Sequence, residues 1–268
     1  MHHQITKYSA PILVGAALVS LPTSTQAQDV RGTTPEAFLE MLEAFSDATQ
    51  KPRFAVIQGV ASAATLPNGT AFASVSGTDR RDGTGGIDGS LAFGVGFGDA
   101  RKTIGVQIVT SITSADPNDF GDSGSFSVKF SRVLPDALGS GTVGITIDNL
   151  SPWGDVVGEK VKTSIAWTSA RQFTLANGGR LPVLFNLGVA SETDRRDSWT
   201  PFAAVGLGVS ENLSITVAHN GDYAIIGASA RLPWVENLSV SASLLDAFDQ
   251  RDEQRMTLTV SYAFNDLF

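Results

Sequence analysis

The C-terminal stretch MTLTVSYAFNDLF, residues 256–268, decides the fold class. Met256, Leu258, Val260, Tyr262 and Phe264 recur at every second position, and Phe268 keeps their parity after an interruption at Asp266. The alternate positions, Thr257, Thr259, Ser261, Ala263 and Asn265, are small or polar. Successive side chains of an extended chain point to opposite faces. A period of two with this contrast therefore describes a strand with one bulky apolar face and one small face.

Working back along the chain, the same contrast recurs. LAFGVGFG (91–98) sets Leu91, Phe93, Val95 and Phe97 against Ala92 and three glycines. SFSVKF (125–130), VKTSIAW (161–167) and NLSITVA (212–218) repeat it. Strands are expected near 69–80, 87–97, 102–113, 124–133, 142–149, 161–172, 181–191, 199–209, 212–219, 223–231, 237–246 and 255–264. Most have about the 9–11 residues a tilted strand needs to cross hydrocarbon.

The small face gives the orientation. In a soluble sandwich the bulky side chains point into a packed core and the outer face commonly carries charge. Here the second face is Gly, Ala, Ser and Thr over long runs, the inverted arrangement of a barrel bathed in lipid. Hydrocarbon offers no hydrogen bonds to a sheet edge, so such a sheet must close on itself. The expected fold is all-β, a transmembrane antiparallel up-and-down β-barrel of about 12 strands, with 13–14 possible. Connections alternate accordingly: short at GDARK, SEN and PWVEN, longer and polar at TDRRDGTGGID, TSADPNDFGDSG and DAFDQRDEQR.

An internal repeat supports the count. TDRRD occurs at 78–82 and 193–197, TLPNG at 65–69 echoes TLANG at 174–178, and RVLP at 132–135 echoes ARLP at 230–233. Each pair is separated by six expected strands, as a 6+6 duplication requires. RFAVIQGVASAA (53–64) reads as a further strand with no assigned place.

The N-terminus belongs to the export route. Lys7 precedes the apolar run Ile12–Leu21, and Thr25-Gln26-Ala27 offers a small-x-Ala cleavage site, so residues 1–27 read as a secretory signal peptide. Residues 28–52 carry an expected amphipathic helix near 34–48. Thr33 and Glu36 stand at capping-box spacing, Pro35 lies in the first turn, and Phe38, Leu42 and Phe45 share one side. The barrel unit is expected over 53–268.

On these residues the chain resembles Gram-negative outer-membrane β-barrel proteins, at the level of the porin-like superfamily. In that family a terminal Phe after alternating apolar residues is read by the barrel-assembly machinery. The resemblance assigns Tyr262, Phe264 and Phe268 to such a signal. It implies the cell outer membrane as location, reached through the periplasm, with the helix on the periplasmic side. Lipopolysaccharide and outer-membrane lipids are the implied surroundings.

Composition excludes other classes. With 19 Lys and Arg against 27 Asp and Glu, the formal net charge of −8 is wrong for nucleic acid. There is no Cys and, past the leader, a single histidine, His219 in TVAHNGDY, which shares the outward parity of Leu213, Ile215 and Val217. No catalytic residue set, cofactor site or metal site is expected, and the chain is not read as an enzyme. Asp116, Asp119 and Asp122, and Asp246, Asp249, Asp252 and Glu253, read as solvated loop carboxylates; neither spacing is that of a calcium loop.

Two functions compete, with an outer-membrane enzyme, for which His219 is the only candidate base, as a minor third. Inward residues such as Gly94, Gly96, Ser127, Thr146, Ser164, Gly188, Gly206, Thr216 and Ser241 are too small to fill a barrel of this width, so water or a plug must occupy it. Water gives a passive channel for small hydrophilic solutes, with Lys129, Asp148 and Lys162 as its lumen charges. A plug, for which the helix at 34–48 would enter the lumen, gives a structural or surface-interaction barrel. Its outer loops would then bind lipopolysaccharide or a partner. Those loops carry Asp79, Arg80, Arg81 and Asp82, repeated as Asp194, Arg195, Arg196 and Asp197, and arginine suits bidentate phosphate contacts.

Overall fold

The computed structural model describes residues 19–21, 53–79, 87–113, 120–135, 141–175, 180–193, 196–250 and 254–268. Twelve strands form the wall: β1 (Ala71–Asp79), β2 (Ile87–Gly98), β3 (Gly105–Ile112), β4 (Gly124–Leu134), β5 (Gly141–Trp153) and β6 (Lys162–Thr174). They continue as β7 (Arg180–Ala190), β8 (Thr200–Gly208), β9 (Leu213–His219), β10 (Ala224–Arg231), β11 (Leu238–Leu245) and β12 (Arg255–Phe264). Each pairs antiparallel with its neighbour in sequence, and β12 pairs with β1 to close the barrel.

The wall has the orientation its composition demands. Along β9, Leu213, Ile215 and Val217 are 38–53 % exposed, whereas Ser214 and Thr216 between them are at 0 %. Val75, Phe93, Ile108, Phe130, Ile145, Ile165, Leu187 and Leu258 face outward with them. The outward side chains are thus bulky and apolar, and the wall's inward ones are largely hydroxyls and glycines. Among the described residues no helix is long and apolar enough to cross a membrane.

The two rims differ. One carries the short connections, such as Gly208 to Leu213, and both ends of the wall; the other carries the longer loops, apart from the short β9–β10 connection from His219 to Ala224. At the short-turn rim, Asp99 closes the β2–β3 turn by accepting the amides of Arg101 (2.8 Å) and Lys102 (3.3 Å). Slight burial works against ionisation of its carboxyl. The two amides and the charges of Lys102 and Arg101 outweigh it and hold the group below the ordinary carboxylate value.

The wall departs from the alternation in two places. β5 continues past 149 to Trp153 through irregular pairing with β4, with positive φ at Asn149 and Ser151; Pro152 and this backbone make the stretch look like a loop in sequence. β12 ends at Phe264, and Asp266 lies in the left-handed region (φ 57°), so Phe268 is outside the ladder. The turned tail is fastened instead by the Leu267 amide donating to the Gly69 carbonyl (2.9 Å) and by Phe268 stacking on Phe97 (5.6 Å).

Residues 53–64 are not a thirteenth wall strand. Among the described residues, the strand Arg53–Ala55 pairs with Val19–Leu21, a segment inside the expected leader, and with no wall strand. The expected helix at 34–48 falls outside the described residues.

Candidate functional site: the occupied lumen

An extended chain inside a barrel has no ladder partner, so its buried amides and carbonyls must be met by side chains. Past the short pairing at Arg53–Ala55, residues 56–68 satisfy this requirement along the inner wall. At Val56 the amide donates to Ser214 Oγ (2.8 Å) and the carbonyl accepts from Thr216 Oγ1 (2.7 Å). Beyond it the Ala61 carbonyl accepts from Asn186 Nδ2 (2.9 Å), and the Ala63 amide donates to Thr168 Oγ1 (2.9 Å). The Leu66 amide donates to Gln107 Oε1 (3.0 Å), and the Gly98 amide donates to Asn68 Oδ1 (3.1 Å).

Following these contacts, the segment enters beside the β8–β9 turn, where the Phe54 amide reaches the Ser210 carbonyl (3.1 Å). It rises to Gly59, whose φ of +77° turns the chain against Ile225 at the other end of β10. It then passes β7, β6, β5, β4, β3 and β2 in turn and leaves at the rim where it entered, to begin β1. The segment is a re-entrant hoop.

Its first half is apolar. Phe54, Ala55, Val56 and Ile57 are all at most 2 % exposed and pack with Leu184, Ala204, Ala218, Tyr223 and Ile225. The Arg231 guanidinium lies 4.4 Å from the centre of the Phe54 ring, a cation–π contact at the rim.

The wall glycines now have a reason. A Cβ on Gly206 would stand 2.2 Å from the Val56 carbonyl oxygen. One on Gly144 would stand 2.4 Å from that of Ala63, and one on Gly96 2.4 Å from that of Pro67. Elsewhere inward aromatics use the space: Phe72 lies over Gly94 and Phe202 over Gly188. The small residues make room for a second layer of polypeptide.

Occupation is uneven along the barrel axis. On β1, Ser74, Ser76 and Thr78 are half-buried, but Phe72, nearer the short-turn rim, is buried. On β12 Thr257 and Thr259 give way to buried Ser261 and Ala263, and on β11 Ser243 and Ser241 give way to buried Ser239. On β2 Ser90 and Ala92 give way to buried Gly94 and Gly96. In this sector the inward side chains pass from half-buried to buried toward the short-turn rim. The sector's hydroxyls pair across strands, Ser76 with Thr259 (2.8 Å) and Thr78 with Thr257 (2.9 Å).

The expected lumen charges lie inside but do different things. Lys129 Nζ reaches Ser62 Oγ (3.4 Å) and the Ala64 carbonyl (3.5 Å), so it holds the hoop. Asp148 and Lys162 stand opposite each other in the β5–β6 register, near the long-loop rim.

The loop motifs are partly described. Asp79 ends β1 and accepts the Met256 amide (2.5 Å); Arg80, Arg81, Asp82, Asp194 and Arg195 lie outside the described residues. Arg196 pairs with Asp222 (3.6 Å) in the β9–β10 connection, and Asp197 with Lys160 (2.5 Å) in the β5–β6 connection. The second motif thus ties three loops together. The hydrogen bond from Lys160 to Asp197 raises the lysine's pKa above its ordinary value.

His219 is exposed at the end of β9 with Nδ1 accepting the Gly221 amide (3.0 Å), and Asp222 faces Arg196. Asp116, Asp119, Asp252 and Glu253 lie outside the described residues. Buried Asp246 closes its own turn by accepting the Gln250 amide (3.0 Å). Among the described residues no group of three or more His, Cys, Asp or Glu could hold a metal ion. Tyr262 and Phe264 lie on the outer face with ring centres 4.8 Å apart.

The class defined by this geometry is a closed twelve-stranded antiparallel β-barrel with a re-entrant segment inside, a construction compatible with an outer-membrane barrel. Compared with known proteins, the chain matches no family model and no curated protein.

Proposed function

We propose that this protein is an outer-membrane β-barrel whose lumen is closed to solutes by residues 53–68. In this reading it acts as a structural or surface-interaction barrel through its long loops. The apolar exterior supports the membrane placement, because burying outward Leu, Ile, Val and Phe against acyl chains removes their contact with water. One observation carries the closure: on β1, β2, β11 and β12 the inward side chains pass from half-buried to buried toward the short-turn rim. The interior is a cup open toward the long loops. Lipopolysaccharide or a protein partner would meet the loop surface tied by the Arg196–Asp222 and Asp197–Lys160 pairs. Phosphate groups would meet half-exposed Arg196 there.

Conductance in planar bilayers tests this. Purified wild-type barrel is expected to give no steady channel events, and a folded variant lacking residues 54–66 is expected to conduct. Stable ohmic conductance from the wild type would sink the closed-barrel reading.

A passive small-solute channel is the second reading. It is favoured by the half-exposed hydroxyl surface of Ser74, Ser76, Thr257 and Thr259 and by the inward charges Lys129, Asp148 and Lys162. In that case wild-type conductance would depend on Lys129.

A further inference from the structure

We infer that the inner wall is a binding site for an extended polypeptide, read mainly through its main chain, and that residues 53–68 are its resident occupant. The inference rests on the reading that this segment closes the lumen.

The partners of the hoop carry the argument. Ser214, Thr216, Asn186, Thr168 and Gln107 all bond main-chain groups of the segment, and Lys129 reaches the Ala64 carbonyl as well as Ser62. Contacts to the segment's own side chains are fewer: Gln58 with Ser229 (2.6 Å), Thr65 with Ser131 (2.7 Å), Ser62 with Lys129, and Asn68 with the Gly98 amide. At Val56 two hydroxyls from one strand meet the amide and the carbonyl of one residue. That is the pairing a neighbouring strand would supply, made here by side chains. Gly206, Gly144 and Gly96 then let the backbone lie against the wall, where any side chain would clash with a carbonyl oxygen. A wall that addresses N–H and C=O groups accepts sequences other than its own segment.

The shape of the site restricts the ligand class. The head of the segment lies against Leu184, Tyr223 and Ile225 and requires apolar side chains. The middle, Gly59 to Ala64, is Gly, Val, Ala and Ser against a close wall, and Thr65 to Asn68 complete the segment. The ligand is therefore an extended peptide that is uncharged over the stretch matching residues 54–68, with an apolar head followed by a run of small residues. It enters from the short-turn rim, where both ends of the hoop lie.

The test uses the barrel lacking residues 54–66 and a fluorescent synthetic peptide of residues 53–68. Binding is expected, with a peptide carrying Gln58→Ala and Thr65→Ala binding within about tenfold of it. N-methylation at the Val56 and Ala63 amides, which removes both donors, is expected to weaken binding more than about tenfold. Equal binding of the methylated peptide, or no binding to a barrel shown folded by its heat-dependent gel mobility, overturns the inference. Conductance of the same variant reports on closure separately.

Where the deletion does not fold, full-length variants decide by amide hydrogen exchange at Ala61–Leu66. Ser214→Ala with Thr216→Val is expected to speed exchange about tenfold or more, and Gln58→Ala with Thr65→Ala to change it little. The reverse order would overturn the inference as well.

Discussion

Thr65 and Ser131 face each other inside the barrel with their hydroxyl oxygens 2.7 Å apart, one on the re-entrant segment and one on β4. Both side chains are short, so sulfur atoms at these two positions would lie near bonding distance. The chain contains no cysteine, which makes the pair a clean crosslinking site. The Thr65→Cys/Ser131→Cys variant is expected to oxidise fully inside the folded barrel. Denatured gels with and without reductant measure this by mobility. A pair that remains reduced in folded protein would place the segment elsewhere.

Gly206 provides a second probe of the same segment. Its missing Cβ would stand 2.2 Å from the Val56 carbonyl oxygen, and that oxygen is backbone, with no rotamer to move away. Gly206→Val is expected to push residues 54–58 off the wall, with a cost of about 1–3 kcal/mol typical of overpacking. Bilayer conductance would rise and the equilibrium unfolding midpoint would fall. Ala228→Val, on the exposed outer face of β10, adds comparable volume facing outward and is expected to leave both unchanged.

These probes concern the part of the molecule that sequence leaves unplaced. The wall is legible because every strand carries its own evidence. The alternation along Leu213–His219 or Met256–Phe264 needs no knowledge of neighbours, and the observed bounds of β9 and β12 differ from the expected ones by at most one residue. The hoop is illegible for a physical reason. Ser214 and Thr216 look the same in sequence whether they face water or the amide and carbonyl of Val56. RFAVIQGVASAA also has the apolar, β-branched composition of a wall strand, and only its three-dimensional path separates the two roles. The tail misleads in a similar way, since the parity of Phe268 survives while the left-handed Asp266 takes it out of the strand.

Orientation of the wall is tested by comparing a charge placed on one residue with a truncation at its neighbour. Ile215 is 38 % exposed on the outer face, and Thr216 is fully buried against the segment. Ile215→Arg is expected to destabilise the barrel in lipid vesicles by about 2–4 kcal/mol, the cost of a charge facing acyl chains near the midplane. Thr216→Ala removes one hydrogen bond to Val56 and is expected to cost about 1 kcal/mol. Urea titration in vesicles gives both values. An Ile215→Arg protein as stable as the wild type would mean that the bulky face does not meet lipid.

The loop surface has its own pH dependence. Lys160 is raised above its ordinary 10.5, chiefly by the hydrogen bond from its ammonium to Asp197. A raised folded value means that the pairing contributes fully at pH below the lysine's unfolded value and is lost as pH climbs through the raised one. Cleavage of the loop around Asp197 by a protease active in alkali is therefore expected to accelerate above about pH 10.5. Both groups are well exposed, so about 1 M salt, with a Debye length near 3 Å, is expected to accelerate it at neutral pH too. Lys160→Met would start from the faster rate and show neither response. Wild-type cleavage that ignores both salt and alkali would remove Lys160 and Asp197 from any role in ordering the loops.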